Sequence, residues 1–122
     1  MLNRLMIGAA LLAVAASASA EPAEIGYPAK SLGYAALMNS DVVTAERQLR
    51  DTSKVAANDP ARLVQLGALL VRTGRQAEGA FLLEQAMNAE DVELVLGDGR
   101  TMWSRDLARM ELARVKTSFA GR

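Results

Sequence analysis

A pair of helices joined by a tight turn constrains this protein more than any other feature. Residues 59–87 read DPARLVQLGALLVRTGRQAEGAFLLEQAM. Asp59 and Pro60 are typical of a helix start, because aspartate caps free N–H groups and proline fits the first turn. Gly74 lies in the turn, and the apolar stripes on its two sides are Leu63, Leu66, Gly67 and Leu70, then Ala80, Leu83 and Met87. Two antiparallel helices with so short a connection must pack against each other.

The segment 1–20 is typical of a secretory signal peptide. Arg4 gives a positive start, residues 5–16 are almost wholly apolar, and Ala18-Ser19-Ala20 is a small-residue cleavage site. The apolar run is shorter than the roughly 20 residues that a spanning helix needs. We therefore expect cleavage after Ala20 and export to the periplasm or out of the cell. Retention of this segment as a membrane anchor is the alternative.

Composition limits what the exported part can do. Without residues 1–20 the chain has 102 residues, with 13 basic and 14 acidic side chains, which suits one small domain. No basic block stands out, so the charge pattern of a nucleic-acid binder is missing. The sequence contains no cysteine and no histidine, which excludes disulfides, thiolate metal sites and Ser-His or Cys-His machinery. We expect no cofactor, no metal and no membrane contact after cleavage.

Carboxylates are the remaining residues with catalytic potential. Glu90, Asp91, Glu93 and Asp98 cluster in sequence, and Asp98 with Asp106 is the one conceivable acid/base pair. A two-carboxylate hydrolase fixes its acids about 5 to 10 Å apart across a cleft, and nothing in the pattern predicts one. Solvated loop acids explain these residues better. The sequence therefore predicts a protein that is not an enzyme.

A second, less apolar pair of helices precedes the first. After a lead-in over residues 21–30 that we predict to be flexible, a helix is predicted over 31–39. A break at residues 39–41 leads to another helix, with Val42, Ala45, Leu49 and Thr52 on one face. The two pairs correspond at a constant offset, which places Leu32 on Leu66, Gly33 on Gly67, Ser40 on Gly74 and Leu49 on Leu83.

This offset is a period of about 34 residues, and with it the chain resembles the tetratricopeptide repeat (TPR) family. The matching positions, in the family's order and spacing, are Leu66, Gly67, Gly74, Leu83 and Ala86, and a weaker earlier copy has Leu32, Gly33, Ala45 and Leu49. The sequence departs from the family where large aromatics become Leu63 and Leu70, the middle alanine becomes Gly79, and the closing proline becomes Asp91. The resemblance implies two stacked repeats, over about 27–57 and 60–89. An ordinary pair of helical hairpins is the alternative.

The 34-residue pattern ends after the second repeat. Residues 92–96 favour a strand, residues 97–99 a turn and residues 100–103 a returning strand, so we predict a short β-hairpin within 90–103. An extended loop held by Leu94, Leu96 and Trp103 is the alternative. Ser104 is predicted to cap a last helix over 104–119 that caps the array, with Ala108, Leu112, Val115 and Phe119 on its apolar face and Arg105, Arg109, Glu111 and Lys116 facing elsewhere. The fold class predicted is all-α, an array of about five helices within residues 31–122.

The family resemblance also implies a binding groove on the first helix of each repeat. Its positions are Tyr27, Lys30, Tyr34, Leu37 and Met38 in the first repeat, and Ala61, Val64, Ala68, Val71 and Arg72 in the second. Packing of these side chains inside the bundle is the alternative. We predict a non-enzymatic interaction module that binds a peptide or helix of an envelope partner. The alternative function is a structural or self-associating accessory subunit of an envelope complex.

Overall fold

The computed structural model describes residues 22–120, and the side chains of residues 22–115. The predicted signal peptide lies outside these residues. In the described part the protein is mostly helical, with a small antiparallel sheet before the last helix. The elements are α1 (Tyr34–Met38), α2 (Val42–Arg50), α3 (Pro60–Arg72), α4 (Gln76–Asn88), β1 (Glu93–Val95), β2 (Thr101–Trp103) and α5 (Ser104–Ala120). This confirms the predicted helical class and the β-hairpin.

Helix α3 is the centre of the fold. The Asp59 carboxylate accepts hydrogen bonds from Ala61 N (2.9 Å) and Arg62 N (3.2 Å), so the predicted cap starts the helix. Every residue from Pro60 to Val71 is buried, because α2, α4 and α5 all pack against this helix. The helix is therefore buried on more faces than the one apolar stripe of Leu63, Leu66, Gly67 and Leu70 that was predicted to pack.

Glycines set the distance between α3 and α4. A Cβ atom on Gly67 would lie 2.8 Å from Leu83 Cγ, and one on Gly79 would lie 2.7 Å from the carbonyl oxygen of Gly67. Leu66 and Leu83 are fully buried beside this contact. The two backbones therefore approach as closely as they do because neither helix has a side chain there.

The same contacts recur one repeat earlier. A Cβ on Gly33 would lie 3.0 Å from Ala45 Cα, at the positions equivalent to Gly67 and Gly79. Asp41 N donates to Ala36 O at 2.8 Å, and Arg75 N donates to Leu70 O at 2.8 Å, the same bond in the two turns. The two helical hairpins thus share their turn and their point of closest approach.

The start of the first hairpin differs from the prediction. Helix α1 has five residues instead of spanning 31–39, because Gly33 adopts a left-handed conformation (φ 70°) just before it. The Glu24 carboxylate accepts a hydrogen bond from Leu32 N at 2.7 Å, which holds the preceding turn outside the helix. Residues 22–30 also have defined contacts where we predicted a flexible lead-in, since Ala23 N donates to Val95 O at 2.9 Å.

The β-hairpin connects α4 to α5. Its strands pair Leu94 with Met102, and the connection at residues 97–99 ends with Gly99 in the left-handed region (φ 87°). Leu94 and Leu96 are buried in the core, whereas Trp103 is 48 % exposed, so Trp103 does not anchor this segment. A two-stranded sheet is marginal by itself, and this one is stabilised because Leu94 and Leu96 pack in the same core as the helices.

Helix α5 packs on both α3 and α4. Its start is capped from a distance, because Asp91 Oδ1 accepts from Arg105 N at 3.0 Å, while Ser104 Oγ accepts from Val92 N at 3.0 Å. Ala108 and Val115 are buried as predicted, and Phe119 lies outside the described side chains. The prediction for Glu111 was wrong: its side chain is 2 % exposed, inside the bundle.

We expect Gly79→Ala to lower the free energy of unfolding by about 2 kcal/mol. Alanine gains about 1 kcal/mol of helix propensity, but overpacking costs up to about 3 kcal/mol, and the atom opposed here is backbone oxygen. Urea denaturation measures this change. Glu84→Ala, on the exposed side of α4, is the matched control and should change stability by less than about 0.5 kcal/mol. A stabilised Gly79→Ala variant would contradict the close approach.

A second prediction concerns the ion pairs between the hairpins. Arg75 lies 2.6 Å and Arg50 2.8 Å from Glu46, and these two guanidinium groups hold the pKa of Glu46 at about 2, below its usual 4.5. A carboxylate with a lowered folded-state pKa adds stability above pH 4.5 and loses it as the pH falls toward 2. We expect this loss to be about 1–2 kcal/mol after screening by solvent. In acid titrations followed by circular dichroism, Glu46→Gln should have a flatter profile, and an unchanged profile would refute the assignment.

Candidate functional site

The structure buries most of the predicted groove of the second repeat. Ala61, Val64, Ala68 and Val71 are between 0 % and 9 % exposed. The prediction that these four side chains line an open groove is therefore wrong. Of the five second-repeat positions only Arg72 reaches the surface, and its guanidinium is engaged within the protein.

Contacts of α3 with its neighbouring helices account for this burial. Residues 61, 64, 68 and 72 follow one stripe of α3, and Arg72 at its end donates to Glu111 of α5 at 2.8 Å. Val71 instead faces α4, where its Cγ2 would lie 2.7 Å from a Cβ on Gly79. The face that the resemblance assigned to a partner thus packs against the protein itself.

The first-repeat positions remain at or near the surface. Tyr34 and Leu37 are half-buried, while Lys30 and Met38 are exposed. Tyr27 is half-buried with its hydroxyl hydrogen-bonded to Asp59, and burial together with this carboxylate raises the pKa of the phenol. These five residues are not joined to an open second-repeat surface, and their role in binding stays a prediction.

A pocket lies at the end of the bundle where α3 begins and α4 ends. Its volume is about 520 Å³, within the range of ligand sites. Its walls come from the loop before α3, the first turn of α3 and the last turn of α4. The lining residues are Ala57, Asn58, Arg62, Leu63, Gln85, Asn88 and Ala89. None of these seven residues is predicted from the sequence to form a binding site.

Arg62 is the charged residue of this pocket. Its side chain is pinned by two backbone carbonyls, with Nε donating to Leu49 O at 2.8 Å and Nη1 to Ala57 O at 2.7 Å. Arg62 is 9 % exposed, and its Nη2 makes no hydrogen bond to any residue that the structure describes. Burial and the nearby charge of Arg50 lower the pKa of Arg62, against the opposing pull of Asp59.

Carboxamides supply the rest of the polar lining. Asn58, Gln85 and Asn88 are exposed at the pocket, and Leu63 is a buried apolar residue in its wall. Each carboxamide offers both hydrogen-bond donors and an acceptor. None of the seven lining residues carries a carboxylate or a thiol, so the arrangement suits recognition better than acid–base chemistry.

The acidic residues considered for catalysis do not form a pair. Asp98 is bonded to Arg100 in its own turn, and Asp106 to Arg109 one helical turn away. The backbone N–H of Arg100, together with its guanidinium, lowers the pKa of Asp98. Within the described residues no group of acidic, histidine or cysteine side chains could hold a metal ion. Nor does any helix in this part of the protein have the length and apolar character needed to cross a membrane.

Comparison with known proteins finds no relative. No protein-family model matches the sequence, and searches among characterised proteins and solved structures find no match.

The contact that covers the predicted groove is testable by a double-mutant cycle. Arg72→Met should cost about 3 kcal/mol of unfolding free energy, because it leaves the 2 % exposed Glu111 carboxylate without its closest partner. Adding Glu111→Met should recover most of that loss, since the buried charge is then gone. Denaturation in urea gives the four values. Additive losses would mean that the two side chains are not coupled.

Proposed function

We propose that this protein is an exported, non-enzymatic interaction module with a TPR-like scaffold, which holds a segment of a partner protein in its end pocket. The observation that carries the proposal is the pocket itself: a fixed guanidinium and three carboxamides surround a space of about 520 Å³. These groups bind polar ligands through hydrogen bonds and have no group placed for chemistry. The partner belongs to the cell envelope or the extracellular space.

The scaffold part of the proposal is supported by the repeated contacts of the two hairpins. The turn bond and the close approach recur at the offset that places Gly33 on Gly67, which is the period of TPR arrays. Two repeats fall short of the roughly three that such arrays need for stability. Helix α5 supplies cover for α3 beyond the two hairpins, which fits a terminal capping role.

Export and the absence of enzymatic activity are inferred from the sequence. The segment 1–20 has the charge, apolar run and cleavage motif of a signal peptide. A sequence without histidine and cysteine lacks the commonest general base and the commonest strong nucleophile. Both features favour a secreted binding protein over a secreted hydrolase.

A second candidate function is self-association as an accessory subunit. A shallow depression of about 450 Å³ lies between the β-hairpin and α5, lined by Met102, Asp106, Arg109, Met110 and Ala113. Met110 is 42 % exposed, so this depression presents apolar surface together with one charge of each sign. A second copy that docked about a two-fold axis would cover this apolar surface.

Site-specific crosslinking tests the proposed function. Because the protein has no native cysteine, Asn88→Cys places a photoreactive label at the pocket without a background reaction. We expect a discrete adduct in envelope extract that is lost, at least fivefold, when Gln85→Trp fills the pocket of the same variant. Ala77→Cys, at the opposite end of α4, is the matched control and should give no such adduct.

Three outcomes are informative. An adduct that depends on an open pocket supports the proposal, and mass spectrometry of the adduct gives the bound segment. Equal adducts from positions 77 and 88, or an adduct indifferent to Gln85→Trp, would refute binding in the pocket. An adduct of twice the mass of the protein would favour the self-associating alternative.

A further inference from the structure

The end pocket contains a buried positive charge that has no ion-pair partner among the described residues. Arg62 is held there by two carbonyls, and no described carboxylate forms an ion pair with it. A buried charge without a counter-ion is costly, so a group that supplies one is bound more tightly than by an exposed arginine. The free Nη2 edge of Arg62 is the group that can take it.

A second guanidinium, that of Arg105, is bonded to a residue of the pocket wall. Arg105 donates from Nε (3.2 Å) and Nη2 (2.8 Å) to the carbonyl oxygen of Ala89, which is a lining residue. Like Arg62, it forms no ion pair with any side chain among residues 22–115. Both cations are therefore fixed by neutral carbonyl groups.

The nearby acids bond to backbone N–H groups and not to the guanidinium of Arg62, although the charge of Asp59 favours the charged form of Arg62. Asp59 caps α3, with its carboxylate on Ala61 N and Arg62 N, and Asp91 caps α5 through Arg105 N. Arg50, whose charge acts on Arg62, is itself paired with Glu46 and Glu78. The lining residues thus contribute one positive charge and no negative charge.

We infer that the pocket recognises a carboxylate on an extended peptide, with the carboxylate on the free edge of Arg62 and the peptide backbone on the carboxamides of Asn58, Gln85 and Asn88. The inference rests on the proposed function and names its ligand chemistry. Carboxylate oxygens match the planar N–H groups of a guanidinium. An extended backbone alternates donors and acceptors, and only groups with both, such as carboxamides, satisfy it fully.

The carboxylate has two sources, the C-terminus of a polypeptide or an Asp or Glu side chain. Three synthetic pentapeptides of alanine and serine separate them: one with a free C-terminal acid, one with a C-terminal amide, and one amide with a central aspartate. Binding is followed by the shifts of the side-chain NH₂ signals of Asn58, Gln85 and Asn88 and of the Arg62 Nε–H signal in ¹⁵N-labelled mature protein. We expect at least fivefold tighter binding of one acidic peptide than of the neutral amide.

A negative charge added to the pocket wall tests the inference without changing Arg62 or the fold. Asn88→Asp keeps the shape of an exposed side chain and should weaken binding of the acidic peptide at least tenfold, and at least fivefold more than it weakens binding of the neutral amide, which loses only one backbone contact. Ala77→Glu adds the same charge to the opposite end of α4, about 16 Å along the helix, and is expected to have no effect.

The outcomes separate a failure of carboxylate recognition from a failure of the proposed interaction module. If the three peptides bind equally and at the pocket, carboxylate recognition is refuted and the interaction module stands. If the Asn88 crosslink forms in extract but acidic peptides bind no better than neutral ones, carboxylate recognition is again refuted, and the ligand is a different kind of segment. If no peptide shifts the pocket signals and no crosslink forms, both proposals fail.

Discussion

The close approach of α3 and α4 at Gly67 and Gly79 determines how the rest of the protein is arranged. With the two backbones in contact at that point, Leu66 and Leu83 fill the space on either side of it. Helix α3 then sits so deep that one neighbour cannot cover it. Its remaining faces must be covered by α2 and by α5, which is why the elements before and after the central hairpin fold back on it.

The polar residues of α3 show how that covering is organised. Gln65 donates to Leu32 O at 3.4 Å and Arg62 to Leu49 O, so this side of the helix is bonded to the first hairpin. Arg72, seven residues after Gln65 and so on the same face near the end of the helix, is bonded to Glu111 of α5. A buried polar group is stable only with a partner, and each of these pairs fixes one neighbour in one orientation. The packing of α3 is therefore specified by polar contacts as well as by apolar volume.

The sequence predicts the features that depend on neighbouring residues. Asp59 and Pro60 start a helix wherever they stand before an apolar run, and Gly74 and Gly99 mark turns that need a left-handed residue. Features that depend on distant residues were missed. The cap that Glu24 places before α1 crosses eight residues, and no local pattern announces it.

Two further features involve charged residues, Glu111 and Arg62, whose burial a hydrophobic pattern does not predict. Glu111 lies on the buried stripe of α5 with Leu107 and Val115, but a carboxylate there is predicted to face solvent until its partner on α3 is known. Arg62 and Gln65, three residues apart inside an apolar helix, were the visible signal that one side of α3 meets backbone carbonyls. The pocket itself forms only when the loop at Asn58 and the end of α4 come together, and this requires the tertiary fold.

A site at the end of the bundle follows from the complete burial of α3. Since its sides are covered by α2, α4 and α5, a ligand can reach this helix without unpacking the core only at its terminus. Helix ends are also where backbone groups lack partners within the helix, so loops and side chains that satisfy them gather there. At the end of α2, Arg62 donates from Nε to Leu49 O, and this bond leaves the Nη2 edge of its guanidinium available to a ligand. A ligand bound to that edge would contact the residue that joins the two hairpins, so its binding would stabilise their packing as well.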